Sequence, residues 1–246
     1  MTMIKAVIFD FIGTLTRLKG YSLEKSKLKL HRSLFEAGFN TGKEEFLEAY
    51  DQAYEKYRKV RYRQLVEVTD AVWIADALNG LGFETTPDDT RLKTAVSVFF
   101  EDYLNALELN PCSRRLLNRL SGKYKTGLIS NFTYAPAIHA ALERLDLNRF
   151  INVVLVSQDV GWRKPNPKIF QEGLRRLRVT GEETLYVGDN PLEDIGGASA
   201  ASMKTVFLPS QFYTLTDLLE NNKTPDLIVK NICELSRIFR KIAENL

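Results

Sequence analysis

"KAVIFDFIGTLT", residues 5–16, decides the fold. Its run from Ala6 to Phe9 is apolar without alternation, the pattern of a strand covered on both faces. The run ends on one carboxylate, Asp10, and breaks at Gly13. Asp10 therefore falls where a buried strand emerges. Two positions further on stands Ile12 rather than a second polar residue.

Beyond Pro111 the same kind of run recurs, separated by helical spacing. "KTGLISN", "INVVLVS", "TLYVGDN", "MKTVFLP" and "PDLIV" read as strands. "SRRLLNRLSGKY", "APAIHAALERLDL" and "PKIFQEGLRRLRV" read as the helices between them. A last helix turns Ile232, Leu235, Phe239, Ile242 and Leu246 inward. This alternation predicts an α/β fold, a doubly wound, Rossmann-like parallel sheet with helices on both faces. From about residue 20 to 106 the spacing is helical instead. Thr41 with Glu44 forms a capping-box pattern, followed by a stripe of Phe46, Tyr50, Ala53, Tyr57 and Val60. Further helices are expected from Thr69 to near Asn79 and from near Pro87, the latter turning Val96, Phe99, Phe100 and Tyr103 inward. The chain thus divides into a core of residues 1–17 and 106–246 and an inserted all-helical domain, 18–105.

Composition excludes several function classes. The 246 residues carry a formal net charge of +3, too small to argue for nucleic acid or a membrane surface as partner. The basic run "YEKYRKVRYRQ", residues 54–64, keeps a helical period and reads as a solvated helix face. Cys112 and Cys233 form no metal spacing and no disulfide framework, so both are expected as thiols in a reducing compartment. His31 and His139 read as helix-packing or surface residues. There is no leader-like segment and no apolar run of membrane-spanning length, which makes a cytoplasmic location the expectation.

Ligands of open parallel sheets bind beyond the carboxyl ends of the strands. The residues standing there are Asp10, then Ser130 and Asn131, then Lys164 in "GWRKPNP", then Asp189 and Asp194 in "GDNPLED". Acids that converge without partners need a cation, and an oxygen-only donor set points to Mg²⁺. The lysine, the hydroxyl and the loop amides add a site for a phosphate-sized anion.

In this order and spacing, "FDFIGTLT", "GLISN", "RKPNPKIF" and "YVGDNPLED" resemble the four motifs of the haloacid dehalogenase-like hydrolase superfamily. The inserted helices are similar to the family's helical cap. The resemblance implies Asp10 as the nucleophile that forms an aspartyl-phosphate. It implies Mg²⁺ held by Asp10, Asp189 and the backbone carbonyl of Ile12, with Asp194 in support. Ser130 and Asn131 would bind the substrate phosphate, and Lys164 would neutralise both nucleophile and phosphate. The implied activity is that of a phosphatase acting on a small phosphorylated metabolite.

One position departs from the pattern. Phosphatases of the family carry an acid–base aspartate where this chain has Ile12, a role typically worth ~10²–10⁴-fold in rate. The departure opens three alternatives to a phosphatase with an altered proton step. One is a carbon–halogen-cleaving hydrolase. Another is a phosphonate-cleaving hydrolase using a Schiff-base lysine, for which Lys19, Lys25, Lys27 and Lys29 are at hand. The third is a non-catalytic relative that binds Mg²⁺ and a phospho-ligand or a partner protein. Arg17, Lys19, Arg61 and Arg63 are candidates for a second anionic group on the substrate.

Overall fold

The computed structural model describes residues 3–245, with side chains described through residue 239. The central sheet has six parallel strands in the order β5-β4-β1-β6-β7-β8. These are β1 (Ala6–Phe9), β4 (Lys125–Ser130), β5 (Val153–Val156), β6 (Thr184–Gly188), β7 (Lys204–Phe207) and β8 (Leu227–Ile228). All four residues of β1 are buried, as a strand covered on both faces must be. Two further strands, β2 (Thr16–Leu18) and β3 (Leu107–Leu109), pair antiparallel as a separate ribbon.

Between β2 and β3 the chain makes four helices, α1 (Leu23–Glu36), α2 (Lys43–Gln64), α3 (Asp70–Gly80) and α4 (Thr90–Ala106). They close on their own apolar cluster around Leu30, Phe46, Tyr50, Trp73, Leu92 and Phe99. The remaining helices are α5 (Ser113–Leu120), α6 (Ala135–Arg144), α7 (Ser157–Val160), α8 (Pro167–Leu177), α9 (Gly197–Ala200), α10 (Leu215–Glu220) and α11 (Ile232–Asn245). Apolar clusters on the two sides of the sheet gather about Val7, Phe9 and Leu128, and about Ala6, Ile8 and Tyr186.

Several details differ from the sequence reading. The expected capping box is not formed: α2 starts after Gly42, because Thr41 is buried and its hydroxyl has no partner. The helix expected near Pro87 begins at Thr90, capped by the Asp89 side chain on the amide of Arg91. Arg61, in the basic run of α2, faces inward to Glu67. On α11, Ile232, Leu235 and Phe239 are buried as expected, while the side chains of Ile242 and Leu246 lie outside the described residues.

The expectation of two thiols is overturned. Cys112 and Cys233 form a disulfide with Cα atoms 5.1 Å apart, and no described cysteine is free. The fold sets the start of α5 beside α11, although 121 residues separate the two cysteines along the chain. The cysteines therefore give no support to a reducing compartment. No described helix is long and apolar enough to cross a membrane.

Candidate active site

β1 lies between β4 and β6, so the chain crosses from one side of the sheet to the other beside it. Such a switch point opens a crevice at the carboxyl ends of the strands. The Asp10 amide donates to the carbonyl of Val187 on β6 (2.9 Å), which holds Asp10 at the lip of that crevice. Ser130 ends β4, and Asp189 follows β6 directly. Asp194 stands in a π-helical turn, Pro191–Gly196, which widens the first turn after β6. The cluster expected from the strand ends is therefore assembled.

Lys164 is its hub. Its Nζ lies 2.7 Å from Asp10 Oδ1, 2.6 Å from Asp194 Oδ1, 2.9 Å from the carbonyl of Ile129 and 3.1 Å from the Tyr186 hydroxyl. Burial alone would lower the lysine's pKa, but the facing carboxylates of Asp10 and Asp194 raise it well above its ordinary value, so it stays charged. Tyr186, kept protonated chiefly by burial, donates to Asp194 Oδ1 at 3.0 Å. The other oxygen of Asp194 accepts the amides of Asp189 (3.1 Å) and Asn190 (2.9 Å). Asp194 thus has a donor on every side and serves to shape the loop that carries Asp189.

Asp10 and Asp189 differ from Asp194 in this respect. Asp10 Oδ2 is buried and has no hydrogen-bond partner, and the neighbouring Thr14 hydroxyl has none either. Asp189 accepts the Ser210 hydroxyl on Oδ2. One oxygen from each of Asp10, Asp189 and Asp194 falls within a 4.8 Å cluster. Burial and mutual repulsion hold the Asp10 and Asp189 carboxyls above the usual carboxylate range. Ionising all three buried carboxyls together requires more positive charge than the one ammonium supplies, and the donor set is oxygen only. These residues fit a hard divalent cation such as Mg²⁺.

Gly13 makes this approach possible. Its φ is +96°, and a Cβ placed there would lie 2.2 Å from Asp189 Oδ2, so any side chain would displace the carboxylate. Ile12, just before it, packs its side chain against the apolar cluster on the Val7 side of the sheet. It brings no proton-carrying group to the site.

The Asn131 side chain is engaged within the protein. Its amide group donates to the carbonyl of Lys164 and to Glu193 (2.9 Å each) and accepts the Lys164 amide (2.7 Å). The side chain is committed to clamping the Lys164 loop, which leaves only main-chain groups for a phosphate. Other partners were not read from sequence: Tyr186, Ser210 and the pair Arg163–Glu67. Glu67 lies in the segment after α2, where its amide donates to the carbonyl of Gly161 (2.9 Å). Its carboxylate pairs with Arg61 (2.9 Å) and sits 3.6 Å from Arg163, which in turn reaches Glu193 at 3.1 Å. The residue beside Lys164 is thereby tied to the inserted helices.

Other candidates are engaged elsewhere. Arg17 and Lys19 pair with Glu108, Lys27 with Asp51 and Lys29 with Asp102. His31 packs near Phe35 and Phe46, and His139 pairs with Asp159 on the surface.

A family model for haloacid dehalogenase-like hydrolases matches residues 4–202. The chain is 29% identical to a glyceraldehyde 3-phosphate phosphatase of Methanopyrus kandleri, over 99% of this chain and 100% of that one. It is 26% identical to a ribulose-1,5-bisphosphate 5-phosphatase of Halopiger xanaduensis, over 90% of this chain and 92% of that one. Its fold matches the crystal structure of a 2-haloacid dehalogenase from Pseudomonas syringae with a TM-score of 0.66, at 22% identity over 98% of this chain and 100% of that one. With the strand-end cluster in place and the family model spanning the chain from β1 through the inserted helices to β6, the chain belongs to the haloacid dehalogenase-like hydrolase family.

Proposed function

We propose that this protein is a Mg²⁺-dependent phosphatase that moves the phosphoryl group of a small phosphorylated metabolite first to Asp10 and then to water. The observation that carries the reading is the state of Asp10: one oxygen is fixed by Lys164, the other is buried and unpartnered, and Asp189 stands beside it. The relatives named as phosphatases of a triose phosphate and a pentulose bisphosphate support the substrate class. In this reading residues 18–105 form a cap over a core of residues 1–17 and 106–246.

Asp10, Asp189 and the main-chain carbonyl of Ile12 would hold Mg²⁺, with Asp194 fixing the loop behind them. Bound there, the ion would polarise the phosphoryl oxygens and offset their charge. The Asp10 carboxylate attacks phosphorus, and the bond to the ester oxygen breaks with its electron pair on the departing oxygen. Water then attacks the aspartyl-phosphate, which releases phosphate and restores Asp10. Lys164 keeps Asp10 oriented and opposes the rise in its pKa that burial causes, while the Ser130 hydroxyl and the main chain at Asn131 would face the phosphate. Ile12 supplies no proton, so the departing oxygen takes one from solvent or from the substrate itself.

Ile12 is the observation that favours the second reading, a relative that binds without turnover. Phosphate release from p-nitrophenyl phosphate and from alkyl phosphates, with and without Mg²⁺, separates the two. The phosphatase reading expects Mg²⁺-dependent release that disappears in Asp10→Asn. Release no greater than in that variant would leave the binding reading. Ile12→Asp should raise the rate on alkyl phosphates, whose leaving groups need a proton most.

A further inference from the structure

Two loops carry groups assigned above to the phosphate: residues 130–132 at the end of β4, and residues 161–164 after α7, which end on Lys164. Both meet one side chain from the inserted segment, Glu67, whose carboxylate is only 1% exposed. Glu67 stands between α2 and α3, and its backbone is fixed to the second loop. Its amide donates to the carbonyl of Gly161, and the Arg163 amide donates to that of Leu65 (3.2 Å). Val66 and Trp162 form an antiparallel bridge between them.

One arm of the carboxylate runs toward Lys164. Arg163, 2% exposed, lies 3.6 Å from Glu67 Oε1 and 3.1 Å from Glu193. Glu193 accepts the Asn131 side-chain amide at 2.9 Å, and Asn131 holds both main-chain groups of Lys164. The other arm runs to the loop after β4. The Ser157 hydroxyl donates to Glu67 Oε2 and accepts the Phe132 amide at 2.9 Å. The Phe132 carbonyl, 3.2 Å away, competes for the same hydroxyl proton. A hydroxyl has one proton to give, and a carboxylate is the stronger acceptor. Glu67 therefore turns a Ser157 lone pair toward the Phe132 amide.

Holding two parts of a chain together does not by itself call for a buried charge. A buried ion pair is often no more stabilising than packed apolar side chains of similar volume, and its best-attested use is to fix a register. Arg61, 2.9 Å away, already gives Glu67 a cation from the inserted helices themselves. The further reach to Ser157 and Arg163 is what joins the carboxylate to both loops.

We propose that Glu67 is a positioning residue that holds Lys164 and the loop after Ser130 in one register, so that both address the same phosphoryl group. It acts through Arg163 and Ser157 and not on the reacting atoms. What the two loops do to a substrate rests on the phosphatase reading. A misplacement of about 1 Å, caused far from the chemistry, can cost ~10²-fold in rate.

The test uses Glu67→Gln and Ser157→Ala in the full chain. Glu67→Gln keeps an acceptor near Ser157 but loses the charge that draws Arg163 and captures the hydroxyl proton. On p-nitrophenyl phosphate with Mg²⁺ it should lower kcat about 10–100-fold and leave KM nearly unchanged, the mark of lost transition-state alignment. Hydrogen exchange should quicken at residues 131–134 and 161–164 but not in β6. Ser157→Ala should lower kcat by a smaller factor and quicken exchange at residues 131–134 alone. A role in stability alone would lower the urea midpoint without moving the kcat of the folded enzyme, and that result overturns the proposal. Exchange that quickens equally in β6 also overturns it. Where Glu67→Gln fails to fold, Ser157→Ala decides, and unchanged kcat or exchange there overturns the proposal. Wild-type kcat in the folded variants leaves the phosphatase reading intact. Loop-confined changes in exchange, in a protein whose wild type releases no phosphate, would keep Glu67's role and sink the phosphatase reading.

Discussion

Lys164 Nζ stands 2.7 Å from Asp10 Oδ1, and both groups are buried. The lysine also pairs with Asp194 at 2.6 Å, so Lys164→Met removes the counter-charge of both carboxyls in a low-dielectric site. Removing one partner of a buried ion pair costs about 3–5 kcal/mol. We expect that loss in urea denaturation with chelator present, together with loss of phosphate release. A variant as stable as the wild type would mean that the carboxylates are not charged together.

Asp70 predicts a dependence of stability on pH. Burial pushes its carboxyl up to about 7, against the pull of the Thr133 hydroxyl and the Arg61 guanidinium. Glu67, Tyr21, Tyr50 and Tyr134 are the other titratable groups within electrostatic reach. The folded chain then keeps this proton up to about pH 7, while the unfolded chain releases it near pH 4. Between those values the unfolded state binds fewer protons, so the contribution of Asp70 to stability falls as pH rises. Asp70→Asn cannot titrate. Its stability relative to the wild type should improve by roughly 2–4 kcal/mol between pH 4 and pH 8. Urea denaturation at the two pH values checks this, and a difference independent of pH would contradict it.

The Cys112–Cys233 disulfide closes a separation of 121 residues. In the chain-entropy model a loop of that length is worth about 5 kcal/mol. Cys112→Ser and Cys233→Ser, or the wild type in reductant, should show a lower urea midpoint by a comparable amount. Free thiols in the non-reduced protein, with no response to reductant, would contradict the pairing.

Much of the candidate site is legible because buried parallel strands read as unbroken apolar runs that end on polar residues. Asp10, Ser130 and Asp189 stand at strand ends in that way, whereas Lys164 and Asp194 come later in the segments that follow β5 and β6. Residues whose partners come from distant segments are not legible. Tyr186 looks like one more apolar strand residue, and its hydroxyl acquires meaning only from Lys164 and Asp194. Asp70 looks like an ordinary acid at a helix start until α2, α3 and the loop after β4 bury it. The β2–β3 ribbon has three residues per strand, too few for alternation to register. The disulfide was hidden by the same distance that would make it stabilising.

In the proposed reaction Asp10 carries the phosphoryl group. Acid-quenching the protein during turnover of a phosphate ester, followed by peptide mass spectrometry, tests it directly. Ile12 provides no side chain to activate water against the acyl-phosphate, so the intermediate should accumulate to a detectable level. Phosphoryl mass is expected on the peptide containing Asp10, dependent on Mg²⁺ and absent in Asp10→Asn. Phosphate release undiminished in Asp10→Asn, or a phosphoryl group found on another residue, would contradict it.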